Sequence, residues 1–173
     1  VNNKSTKLAH MAINNLPNII KDGVILTSNY DKVIETVYDN YNVPYEVADL
    51  SDREMINGWI RETRNKILLV KIHGDILQPE DRIVFDRESY DKLYASDSQA
   101  LTTLKKCFEH KVLLFLGCSL QHDRFLDVLR SVNEPGIKNY AIYPCRKSDR
   151  QKTYRRLSDD RIFPILFPDD DYE

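Results

Sequence analysis

Cysteine, glycine, long apolar runs and charge of either sign in excess are all scarce in this chain, and each scarcity excludes something. The three cysteines, Cys107, Cys118 and Cys145, are widely spaced, and no two form a Cys-x-x-Cys pair. That pattern argues against a disulfide framework or a four-cysteine zinc site and fits a reducing cytoplasm. Five glycines are present and none stands in a Gly-x-Gly. No apolar run approaches the length needed to cross a bilayer, and the first thirty residues hold no signal-peptide pattern. With 25 basic against 27 acidic residues, the formal charge of -2 gives no overall pull toward nucleic acid or anionic lipid. Neither a membrane nor direct nucleic-acid contact is expected.

What is present is an ordinary globular composition, 42% hydrophobic and 30% charged over 173 residues. That length suits one domain with a real core, so residues 1–173 are read as a single domain with an acidic, solvated tail at 169–173. Residue 1 is Val, and the chain is expected to be a piece of a longer parent with further domains.

Strands alternate with helices along the sequence. Apolar runs at Val24–Thr27, Ile67–Ile72, Lys111–Leu116, Tyr140–Tyr143 and Ile162–Phe167 predict strands, with Ile83–Phe85 as a short edge strand. The Lys111–Leu116 run, nearly all apolar, reads as covered on both faces. Helical spacing predicts helices over Lys7–Lys21, from Val33 to Tyr41, within Ser51–Asn65, over Ser89–His110, Asp123–Val132 and Ser148–Leu157. The alternation argues for an α/β fold, a doubly wound parallel sheet with helices on both faces. Ligands in that class sit beyond the carboxyl ends of the strands.

Three strand exits carry unusual chemistry: "TSNYD" (Thr27–Asp31), "KIHGD" (Lys71–Asp75) and "LGCSL" (Leu116–Leu120). Each is ambiguous alone. Asp31 and Asn29 can cap the following helix as readily as contact a ligand, because a side-chain acceptor there satisfies a free backbone N–H. His73, between an apolar strand and Gly74, is more often a structural histidine than a catalytic one. Gly117 and Ser119 can simply permit a tight turn. A blander reading makes all three exits caps and turns of an α/β scaffold.

Taken together and in this order, the exits resemble the sirtuins. "TSNYD" is similar to their strand-end Asn segment, "KIHGD" to their His-Gly segment and "LGCSL" to their Gly-Thr-Ser segment. "RIVFDRESY" (Arg82–Tyr90), "LFLGCSLQHDRF" (Leu114–Phe125) and "NYAIYP" (Asn139–Pro144) bring the resemblance nearer to the prokaryotic SIR2-like branch, over roughly Gly23 to Pro168. Two features depart from the sirtuin pattern. The zinc module on two Cys pairs is absent, since only Cys107 lies in that interval. No glycine-rich loop of the kind that follows the sirtuins' first strand and contacts the NAD pyrophosphate stands before Gly23, so the chain is expected to be either a fragment lacking that strand and loop or a divergent copy.

The resemblance implies a Rossmann-like SIR2-type fold and cleavage of the nicotinamide N-glycosidic bond of NAD, with NAD as substrate and no metal. It implies His73 as general base, Asn29 as the amide that orients ribose and water, and Asp31 as a polarising or positioning group. Thr27, Ser28, Gly74, Gly117, Cys118, Ser119 and Leu120 are the implied cofactor-binding residues, while Asp123 caps the next helix. With water as acceptor the parent protein is an NAD hydrolase giving nicotinamide and ADP-ribose, an activity that in this branch commonly serves antiphage defence. This fragment alone, without the phosphate loop, is expected to bind NAD poorly and to be inactive. The implied partners are NAD or ADP-ribose and a second copy of the chain in a homo-oligomer. A non-catalytic module that senses NAD or ADP-ribose, or holds partner proteins, is the alternative, with a protein deacetylase behind it.

Overall fold

Gly23 opens an apolar run that ends at a polar turn, and the backbone over Gly23–Thr27 is the first strand, β1. The computed structural model describes residues 13–61, 66–109, 111–121, 124–132 and 136–168. Around β1 the elements follow in the order α1 (Leu16–Ile19), β1, α2 (Val33–Asn40), β2 (Tyr45–Asp49), α3 (Arg53–Arg61), β3 (Ile67–Lys71), α4 (Arg87–Leu93) and α5 (Gln99–Phe108). Then come β4 (Leu114–Leu116), α6 (Arg124–Val132), β5 (Asn139–Cys145), α7 (Arg150–Asp159) and β6 (Ile162–Pro168). The strand pairings are parallel, which bears out the α/β, Rossmann-like class. They form two three-stranded sheets, ordered β1-β3-β2 and β4-β5-β6. The chain divides after Lys106 into two compact units, each holding one of these sheets.

In the first unit β3 is the middle strand, and all five of its residues, Ile-Leu-Leu-Val-Lys, are buried. A central parallel strand is covered on both faces, which is why its sequence is nearly continuous apolar; Lys71 is the exception. The register sets Thr27 beside Lys71 and Lys71 beside Asp49. The three strands therefore end on one row, and their exits leave the sheet at one edge. Tyr38 of α2 packs with Leu16 and Ile67, and its hydroxyl donates to the Ile20 carbonyl. Burial pushes that phenol up to about 12. Trp59, the sole tryptophan, is buried on α3 with its indole N–H 3.3 Å from the Glu46 carboxylate of β2.

In the second unit β5 is central. Asn139 at its start is buried, and its side-chain oxygen accepts the Leu113 N–H at 3.0 Å, pinning the entry to β4. Phe125 of α6 meets Phe108 and Phe115 edge to face. Arg130 of α6 forms a two-pronged pair with Asp160 just beyond α7, at 2.6 and 2.8 Å.

Three sequence expectations need correction, and one strand, β2, lies where no strand is expected, because Glu46 and Asp49 interrupt its apolar pattern. Ile83–Phe85 is not a strand: the Val84 N–H is taken by the His73 carbonyl at 2.9 Å and its carbonyl by the Tyr30 hydroxyl at 2.6 Å, leaving no ladder to form. The helix expected over Ser89–His110 is broken between Leu93 and Gln99, where Ser98 caps α5 by accepting the Leu101 N–H. Serine and aspartate in "ASDS" compete for the backbone groups a continuous helix needs. The Lys111–Leu116 run pairs only from Leu114, and it is covered on one face: Phe115 is buried while Leu114 and Leu116 are 44% and 40% exposed. The Lys7–Lys21 helix before residue 13, Asp123 and the 169–173 tail lie outside the described residues.

Candidate functional site

The exits of β1 and β3 are sewn together by main-chain hydrogen bonds. Ile72 N–H donates to the Thr27 carbonyl at 2.9 Å, and Ile76 N–H donates to the Tyr30 carbonyl at 3.0 Å. Thr27 is buried and its hydroxyl accepts the Asn29 N–H at 3.1 Å, which folds the turn so that Ser28 and Asn29 stand exposed at the edge. Asp31 accepts the N–H of Val33, the first residue of α2, at 3.0 Å. The capping half of its ambiguity is thus a real hydrogen bond, and it satisfies one of the free donors at the helix start.

His73 lies half-buried on the neighbouring exit, among aromatic rings: Tyr30 at 6.4 Å and Tyr90 at 5.9 Å between centroids. Gly74 follows with φ +90, and a Cβ there would stand 2.5 Å from the Arg82 carbonyl oxygen. Only glycine allows the 82–84 segment to lie this close against the His73 turn. Asn29 and His73 therefore leave adjacent strands of one sheet at one edge.

Beneath that edge is a charged cluster that motif reading missed. Lys71 is buried, and its ammonium reaches four acceptors: the Asp31 carbonyl at 2.6 Å, the Tyr30 carbonyl at 3.3 Å, Glu35 at 2.8 Å and Asp75 at 2.9 Å. Lys32 adds a second cation to Asp75 at 2.6 Å. Burial alone raises the Asp75 carboxyl, but hydrogen bonds from Lys32, the Leu77 N–H and Lys71 outweigh it and hold the pKa down at about 2. The Lys32 ammonium is correspondingly raised, chiefly by its hydrogen bond to Asp75. The signal in the sequence was a lysine inside "ILLVKI": a charge in a central strand must bring partners with it.

A cleft of about 210 Å³ opens at the carboxyl ends of β2 and β3, lined by Lys32, Asp49, Asp52, Asp75 and Gln78 among others. Asn29, Asp31 and His73 do not line it. Its carboxylates are already engaged: Asp49 accepts from the Ser51 N–H and hydroxyl and from Gln78 at 2.7 Å, and these bonds outweigh burial to lower its pKa. The hollow is therefore the upper surface of the bracing network, and the chemistry is better sought at the exposed turn beside it. Among the described residues no group of three or more His, Cys, Asp or Glu is placed to hold a metal ion.

The third exit belongs to the second unit. Gly117 (φ +65), Cys118 and Ser119 are exposed at the end of β4, and Leu120 is buried with φ +48. Two side chains hold this turn. The Tyr143 hydroxyl donates to the Ser119 carbonyl at 2.9 Å, and the Arg156 guanidinium donates to the Leu120 carbonyl and lies over the Tyr143 ring at 5.9 Å. Tyr143 stands in "NYAIYP" only as a letter of the motif, and no motif ties Arg156 of α7 to a carbonyl 36 residues earlier.

A family model described as a SIR2-like domain matches residues 23–165, a span that runs from β1 into β6 and contains all three exits. The chain belongs to the SIR2-like family. SIR2-like domains are sirtuin-related and use NAD, so the exposed turns at the strand ends are where a dinucleotide is to be looked for. No helix among the described residues is long and apolar enough to cross a membrane.

Proposed function

We propose that this SIR2-like domain is an NAD hydrolase that cleaves the nicotinamide N-glycosidic bond to give nicotinamide and ADP-ribose, acting in the cytoplasm of a prokaryote in defence against phage. The observation that supports it is the placement of Asn29 and His73 on adjacent exits at one edge of a parallel sheet. Nicotinamide departs from an anomeric carbon through a transition state of oxocarbenium character, as in glycoside hydrolysis. The site must hold the ribose, let the base leave and supply water.

In this reading the Asn29 amide, exposed and set by Thr27, orients ribose and water as donor and acceptor and is neither acid nor base. His73 takes the proton from the ribose hydroxyl or attacking water, a role suited to an imidazole's near-neutral reference pKa. Asp31 positions the turn through its bond to Val33. Thr27, Ser28 and Gly74 flank the ribose.

The test is nicotinamide release by the full-length parent protein, wild type against Asn29→Ala and His73→Ala. A fall of 10²-fold or more in each is expected; equal rates in all three sink the mechanism. A second reading is a module that senses NAD or ADP-ribose without turnover. Saturable NAD binding with no nicotinamide released selects it.

A further inference from the structure

We propose that Lys71 is a positioning residue for Asn29: its buried ammonium holds the two carbonyls that follow Asn29 and ties them, through Asp75, to the turn that carries His73. The inference deepens the NAD-hydrolase reading and rests on it for its kinetic consequence. Its structural content stands on the bonds alone.

Three features carry it. First, the ammonium is 1% exposed and has four acceptors within 3.3 Å, so it is saturated and shielded. A lysine so enclosed works through the geometry of the groups it holds. Second, two of those acceptors are main-chain carbonyls, at Tyr30 and Asp31, in the segment directly after Asn29. Fixing them fixes the direction in which the turn leaves β1, and so where the exposed Asn29 amide points. Third, Asp75 lies two residues beyond His73, and the Tyr30 carbonyl that Lys71 holds also accepts the Ile76 N–H. One cation thus bears on both exits.

Glu35, reaching up from α2 at 2.8 Å, supplies the second counter-charge that lets the ammonium stay buried. The arrangement predicts a division of labour: the surface turn supplies the amide, and the buried cation gives it one address. A displacement of about an ångström in such a group is enough to lose two orders of magnitude in rate.

The test uses Lys71→Met combined with Glu35→Gln, which removes one buried charge of each sign and leaves Asp75 paired with Lys32. Amide hydrogen exchange is read first. Asn29, Val33 and Ile76 N–H groups, whose bonds depend on the turn, are expected to exchange at least tenfold faster, while Leu69 and Val70 in β3 stay within threefold of wild type. Unchanged protection at those three positions overturns the proposal. Should the double variant fail to fold, Lys71→Arg keeps the buried charge but presents a planar fork that does not reproduce the ammonium's reach; it is read in the same way, with at least threefold faster exchange expected.

Nicotinamide release is read second. The double variant is expected to lose at least tenfold in kcat with KM for NAD within threefold, whereas the same two substitutions placed in an Asn29→Ala background are expected to cost less than twofold beyond Asn29→Ala itself, because Lys71 acts through Asn29. Losses that multiply independently overturn the positioning role. A wild-type parent protein that releases no nicotinamide strikes the NAD-hydrolase reading alone, and the exchange experiment still decides the brace.

Discussion

Both units solve one problem, how to hold a polar turn at the end of a parallel strand, and they solve it differently. The β1 exit is held from within, by a lysine, a glutamate and an aspartate that are all buried. The β4 exit is held from outside, by Tyr143 and Arg156 on later elements of the second unit, neither fully covered. A buried ionic hold is insensitive to salt and costly to break, because whatever remains is an uncompensated charge. A surface hold is weaker and can be lost with little damage. The first unit has committed its folding to the geometry of its turn; the second has not.

The largest test of that contrast pairs Lys71→Met with Arg156→Met. Removing the ammonium leaves Glu35 buried without its principal cation, and urea denaturation is expected to show a loss of about 3–5 kcal/mol. Arg156→Met gives up its bond to the Leu120 carbonyl and should cost about 1.5–3 kcal/mol or less. Equal losses would erase the distinction between the two holds.

Glycine substitutions sharpen it further. Gly74→Ala meets both the left-handed backbone and the Arg82 carbonyl at 2.5 Å, so strain and overpacking together should cost about 2–4 kcal/mol. Gly117→Ala has the backbone penalty alone, with nothing within 4 Å of the new methyl, and should cost about 1–2 kcal/mol. If the order of the two is reversed, the close approach at Gly74 is not what constrains that turn.

Acid offers the gentlest probe. Asp75 has its pKa lowered from the ordinary 3.8 to about 2 in the folded chain. A depressed carboxyl contributes stability that is complete above the unfolded value and is lost as pH falls through the folded one. About 2 kcal/mol should therefore disappear between roughly pH 4 and pH 2, and Asp75→Asn should flatten that part of the curve. An unchanged acid limb in the variant would remove Asp75 from the account.

Much of the fold was legible because apolar runs such as "ILLVK" end at polar or glycine-bearing turns, and that pattern reports burial directly. β2 escaped because its charged positions serve local needs: Glu46 meets Trp59 and Lys66, and Asp49 folds the turn into α3. The edge-strand expectation at Ile83–Phe85 failed because hydropathy does not record where N–H groups go, and here the partners lie in the His73 turn and at Tyr30. For the candidate site, the exposed residues were legible as motifs and their support was not. Lys71 stood inside "KIHGD" as a letter of the motif, and its role emerges only once Glu35 and the Tyr30 and Asp31 carbonyls surround it.

Trp59, buried on α3 against Glu46, has one more consequence. As the sole indole in the chain it gives the first unit an optical signature that the second lacks entirely. Emission excited near the red edge of tyrosine absorption follows one unit, whereas the far-ultraviolet signal follows both. The molecule thus carries its own means of revealing whether its halves melt as one body or as two.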